Sequence, residues 1–172
     1  GIGKQRSRND GSALTDAQPL MPAPWIAQGQ CLEHYGEPYM PVLEALDRFS
    51  QEFQSKHLVN LLSQHAPTWL LQMPTLLSIT APEALQRRTV GTTRERMLRE
   101  FAHLLEALTD EHMLVLVLED LHWADVSTLA LLDMLARRRE PARLLVLGTY
   151  RPTEVLGKRH PLVSVVQELQ AH

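Results

Sequence analysis

The chain has 172 residues, 44% hydrophobic and 22% charged, enough to bury one core and too few for two ordinary domains. Its 17 Lys and Arg against 20 Asp and Glu leave a net charge of -3, which provides no bulk positive field for a phosphate backbone, so direct nucleic-acid contact is not expected. A single cysteine, Cys31, cannot close an internal disulfide and fits a reducing, cytoplasmic setting; the longest apolar run, Met113 to Leu118, is far below the roughly 18 to 20 residues of a membrane helix, so no membrane partner is expected.

The first residues, Gly1, Ile2, Gly3 and Lys4, carry no initiator methionine, and the chain reads as a piece of a longer polypeptide. Gln5 to Pro24 mixes Arg, Ser, Asn, Asp, Gly and Pro without an apolar period, and Pro19, Pro22 and Pro24 would interrupt a helix there. Residues 1–24 therefore form one irregular unit, and residues 25–172 form the structured one. From Trp25 through Ala27 and Gly29 to Cys31 and Leu32 the pattern is that of a short half-buried strand, followed by a loop over Glu33 to Tyr39.

Pro41 suits a first helical turn, and Val42, Leu43, Leu46, Phe49 and Phe53 recur at three- and four-residue steps behind it. A second helix is predicted over His57 to Gln64. Pro67, Pro74 and Pro82 then restrict Thr68 to Met73 and Glu83 to Arg88 to brief helices. The strongest helix covers Thr93 to Leu108: Thr92 and Glu95 have capping-box spacing, and Met97, Leu98, Phe101, Leu104, Leu105 and Leu108 make one apolar stripe.

Met113 to Leu118 is a continuous aliphatic run of the kind buried on both faces of a parallel sheet. Asp125 or Ser127 can cap the next helix, whose inner face is Leu129, Leu132 and Leu135, and Arg137, Arg138 and Arg139 oppose the negative end of its dipole. Leu144 to Tyr150 reads as a second buried strand, and Pro161 to Gln170 as a final helix. Strand, helix, strand at these lengths implies a right-handed parallel crossover.

Chemistry is expected at the carboxyl ends of the two aliphatic strands, because open parallel sheets place ligands there. One ends in Glu119 and Asp120, the other in Gly148, Thr149, Tyr150 and Arg151. Of two adjacent carboxylates, one can hold hydrated magnesium while the other orients or deprotonates a water; a neighbouring arginine can sense phosphate. Gly1, Gly3 and Lys4 match the tail of a phosphate-cradling G-x-x-x-x-G-K-[ST] loop, upstream of the acidic strand end.

Other polar groups read as structural. His122 and Asp125 support the following helix rather than a metal, Cys31 and His34 lack the oxyanion donor and orienting acid of a nucleophile pair, and the three arginines mark a helix end rather than a DNA contact.

Residues 28–36 (Gln-Gly-Gln-Cys-Leu-Glu-His-Tyr-Gly), 114–125 (Leu-Val-Leu-Val-Leu-Glu-Asp-Leu-His-Trp-Ala-Asp) and 147–152 (Leu-Gly-Thr-Tyr-Arg-Pro) resemble those of bacterial AAA-like P-loop ATPases of the signal-transduction (STAND, origin-recognition-like) type. The resemblance covers Trp25 to His172. It implies an α/β fold: a partial three-layer P-loop NTPase, with a parallel sheet flanked by helices and its first strand and lid missing. That first strand would lie beside Leu144 to Leu147, so the chain would show an unpaired edge and a tendency to self-associate.

The resemblance further implies ATP and magnesium as ligands. Glu119 takes the magnesium-associated Walker B position, Asp120 that of the residue polarising water, Arg151 that of a sensor arginine and Lys4 that of the Walker A lysine, with the division of labour between Glu119 and Asp120 left open. Relatives are multidomain regulators, so attached domains such as tetratricopeptide repeats are expected partners. Two departures stand out. Gln5 replaces the Ser or Thr that should ligate magnesium, and the helix expected from Lys4 gives way to the irregular run over Gln5 to Pro24, a frame error or an inserted loop. The expectation is an ATP-binding and ATP-hydrolysing switch, impaired in this chain; the alternative is a degenerate, non-hydrolysing interaction module.

Overall fold

A computed structural model describes residues 23–33, 36–52, 55–78, 93–110, 112–156 and 160–171. Their elements are β1 (Trp25–Gln30), α1 (Met40–Glu52), α2 (Ser55–His65), α3 (Pro67–Leu70), α4 (Pro74–Leu77), α5 (Arg94–Thr109), β2 (Leu114–Glu119), a 3-10 turn (Leu121–Trp123), α6 (Val126–Ala136), β3 (Leu144–Gly148), α7 (Pro152–Leu156) and α8 (Leu162–Ala171). The predicted brief helix over Glu83 to Arg88 lies outside the described residues.

The three strands form one sheet in the order β1-β2-β3, with both pairings parallel. This is the α/β class expected from the sequence, a parallel sheet flanked by helices, and it matches part of a P-loop NTPase fold. Trp25 pairs with Leu114 and Gln30 with Glu119 across β1 and β2, while Leu114 pairs with Leu144 and Leu118 with Gly148 across β2 and β3. All three carboxyl ends therefore reach the same edge.

Side chains two apart on a strand share a face. Ala27, Gly29, Leu114, Leu116 and Leu118 are buried on one face, which α1 approaches so closely that a Cβ on Gly29 would stand 1.8 Å from the Pro41 carbonyl oxygen. On that face Trp25 stacks on His112, ring centroids 4.1 Å apart, and packs against Phe49 at 5.4 Å. The other face carries Ile26, Val115, Val117, Leu145 and Leu147. Ile26 is 51% exposed, Leu145 41% and Leu147 47%. Crossovers of the usual right hand, taken in the order β1, β2, β3, put both connections on one face, which accounts for the asymmetry.

Leu144 to Tyr150 was expected to be a second buried strand, but β3 alternates between half-buried and exposed and ends at Gly148. An aliphatic run reveals strand propensity; it does not reveal how many layers cover the strand. The cap of α5 also moves by one residue, since Thr93 accepts the Arg96 amide at 3.2 Å, and Thr92 lies outside the described residues.

Met97, Phe101, Leu104, Leu105 and Leu108 of α5 are buried as their spacing predicts. Glu100, on the same helix, is buried as well: its carboxylate accepts the Thr68 amide at 2.8 Å and the Thr68 hydroxyl at 2.9 Å, and pairs with the Arg96 Nε at 2.8 Å. It thereby satisfies the free first-turn amide of α3, a donor that would otherwise be stranded in the core. The arginines after α6 face other helices: Arg137 pairs with Asp133 at 3.1 Å and Glu168 at 3.2 Å, and Arg138 with Glu106 at 2.8 Å.

Candidate functional site at the carboxyl edge of the sheet

Glu119 is the last residue of β2, half-buried, and its carbonyl oxygen accepts the Cys31 amide at 2.9 Å. The next residue, Asp120, has φ 56° and ψ 43°, the left-handed region that aspartate tolerates better than most residues. Thr149 holds this kink from the neighbouring strand end: its Oγ1 accepts the Asp120 amide at 3.1 Å and its carbonyl accepts the Leu121 amide at 2.8 Å. The kink diverts the chain out of the sheet into the 3-10 turn.

From the opposite side, Gln30 at the end of β1 donates Nε2–H to Asp120 Oδ2 at 2.9 Å. Its own amide is accepted by Glu44 Oε2 of α1 at 2.9 Å, and Glu44 Oε1 pairs with Arg48 at 2.6 Å. Asp125 caps α6, with Oδ1 accepting the Ser127 amide at 2.8 Å and the Thr128 amide at 3.0 Å, while Oδ2 accepts the Thr128 hydroxyl. Arg151 is exposed two residues beyond Thr149, at the same edge, and its carbonyl accepts the Glu154 amide at 3.1 Å at the start of α7.

The edge is acidic, and Cys31 registers it. The thiol is buried, and its pKa is pushed up to about 12, first by loss of solvent and then by the charges of Asp125, Asp120 and Glu44. A protonated, enclosed sulfur is a poor nucleophile; His34, its sequence neighbour, lies outside the described residues.

Glu119, Asp120, Thr149 and Arg151 thus stand at the carboxyl ends of two neighbouring strands, with Thr149 bonded to Asp120. Gly1, Gly3 and Lys4 lie outside the described residues, as does Gln5. The model of the family described as "AAA ATPase domain" matches residues 11–147, most of the chain. The chain belongs to that family. It is therefore a nucleotide-binding ATPase module, and the match runs from upstream of β1 through β2 to Leu147 in β3. No curated protein and no solved structure matches the chain. No helix of the described residues is long and apolar enough to cross a membrane.

Gln30 and Thr149 carry no motif signal in the AAA domain's sequence, though each stands at the carboxyl end of a parallel strand, where ligand-facing polar groups collect. Among the described residues, no group of three or more His, Cys, Asp or Glu side chains could cage a metal. A magnesium ion in a nucleotide site needs no such cage, because one or two carboxylates suffice when phosphate and water complete its octahedron. The hard oxygen donors of Glu119 and Asp120 fit that requirement.

Proposed function

We propose that this AAA domain is an ATP-binding and ATP-hydrolysing switch of a bacterial signalling or transcriptional regulator, impaired in the chain as it stands. The observation that supports this most is the juxtaposition at one sheet edge of the Glu119–Asp120 pair with the strand end that carries Thr149 and Arg151. In this reading residues 1–24 form a phosphate-loop remnant and irregular segment, and residues 25–172 the ATPase core.

Glu119 would hold magnesium, with Asp120 able to contribute a second oxygen, and such an ion would supply neutralising charge at the phosphates. Asp120 accepts a hydrogen bond from the attacking water and orients it, its carboxylate held by Gln30. Arg151 approaches the phosphates from the adjacent strand end, and a guanidinium there stabilises charge as it develops. Gly1, Gly3 and Lys4 would cradle the phosphates with backbone amides and an ammonium group. The impairment rests on Gln5: its amide oxygen replaces the hydroxyl expected to ligate the ion. Attached domains, such as tetratricopeptide repeats in the parent polypeptide, would receive the change of state, and a second copy of the chain could meet the exposed β3.

A titration with a fluorescent ATP analogue and magnesium, run on the chain and on a variant carrying Gln5→Thr, tests this reading. Binding that strengthens in Gln5→Thr, with phosphate release that Asp120→Asn abolishes, is expected. Absence of binding in both would favour the non-hydrolysing interaction module.

A further inference from the structure

The 3-10 turn buries His122 so completely that its side chain has 0% exposure, yet neither ring nitrogen has a hydrogen-bond partner. Buried polar atoms in folded proteins are nearly always satisfied, and an orphan beside a candidate site calls for an explanation. Its nearest acidic neighbour is Asp120, whose Oδ1 lies 4.0 Å from His122 Nδ1. That separation exceeds a hydrogen bond by about 1 Å. The other oxygen of the same carboxylate is already held by Gln30, so Oδ1 is the atom left to orient.

We propose that His122 is a positioning residue for Asp120: a ring N–H closes the remaining gap to Oδ1 and fixes the carboxylate at the oxygen that Gln30 does not hold. The proposal rests on the reading of Asp120 as the group that orients water. A carboxylate held at one oxygen can still swing about that bond, whereas one held at both presents a single direction to its substrate. His122 suits the task because its ring is immobilised by burial and lies against Trp123, centroids 4.9 Å apart. The left-handed kink at Asp120, pinned by Thr149, opens the 3-10 turn that carries the ring. A donor enclosed in this way loses little freedom on forming the bond and has no water competing for it.

The chain labelled with 15N-histidine provides the direct test, through the ring N–H resonance of His122 with and without magnesium and ATP. Asp120→Ala should displace that resonance, while Asp133→Ala, in the last turn of α6 and paired with Arg137, should leave it in place. A His122 resonance indifferent to Asp120→Ala, or moved equally by both substitutions, overturns the proposal. In the Gln5→Thr background His122→Leu should lower turnover by roughly 100-fold through misplacement of Asp120, with ATP affinity retained, and His122→Asn, which keeps an N–H near the Nδ1 position, should restore most of it. If neither the chain nor its Gln5→Thr variant binds or hydrolyses ATP, the reading of the site fails, and the resonance still decides whether His122 engages Asp120.

Discussion

Gln30 Nε2 donates to Asp120 Oδ2 at 2.9 Å although 90 residues separate the two in sequence. The bond exists because β1 and β2 are parallel and in register to their last residues, Gln30 opposite Glu119. It therefore couples the strand edge to the carboxylate. Gln30→Ala should cost about 1 kcal/mol, the ordinary net worth of such a bond, or roughly 2–4 °C of melting temperature in a domain of this size. Thermal unfolding followed by circular dichroism would measure it, and an unchanged melting temperature would show that water replaces the amide without loss.

Glu100 joins α3 to α5 through two hydrogen bonds to Thr68, and a third bond, from Arg96, holds its carboxylate within α5. Glu100→Ala should destabilise the fold by about 2–4 kcal/mol, since it strands a buried amide and removes charge-assisted bonds. Glu100→Gln, which can still accept from Thr68, should lose less. Urea midpoints for the two variants give the comparison, and equal losses would mean that the charge alone matters.

Two glycines permit a contrast. A Cβ at Gly29 would lie 1.8 Å from the Pro41 carbonyl oxygen, backbone that cannot yield without moving α1. At Gly148 it would lie 2.5 Å from Leu121 Cδ1, the flexible tip of a side chain. Gly29→Ala should therefore give little folded protein, whereas Gly148→Ala should fold with a lowered melting temperature. Soluble yield and melting curves decide it; a well-folded Gly29→Ala would show that the approach of α1 to β1 is looser than described.

Cys31 has a folded pKa of about 12, above its ordinary 9.0. The folded chain thus keeps a proton that the unfolded chain loses, so this contribution to stability is complete below pH 9 and is lost as pH rises through about 12. Urea midpoints measured between pH 8 and 11 should fall less steeply in Cys31→Ala than in the unaltered chain. At pH 8 the thiolate is on the order of one part in 10,000, so a thiol reagent should label the folded chain slowly and the unfolded chain at once.

Much of the architecture was legible in local pattern. The stripe from Met97 to Leu108 buries the face its spacing marks out, Asp125 caps α6, and the run ending at Glu119 is the central described strand. These features depend on periods of two and 3.6 residues and on short side chains reaching nearby amides, all of them interactions within a few positions of sequence. Pattern was less informative for β3, whose leucines look like those of β2 but face an open side. Burial depends on which neighbours cover a strand, and no window of sequence contains them.

The carboxylate pair, the order of the strands' chemistry and the α/β class came from sequence alone, because adjacency and periodicity are properties of the chain itself. The company those carboxylates keep was decided in three dimensions. Gln30 reaches Asp120 by strand register, Thr149 pins its left-handed backbone by the crossover through α6, and His122 lies hidden beside it because that kink turns the chain inward. Each of these contacts joins atoms brought together by packing, a global balance of buried surface and satisfied polar groups that a linear pattern does not record.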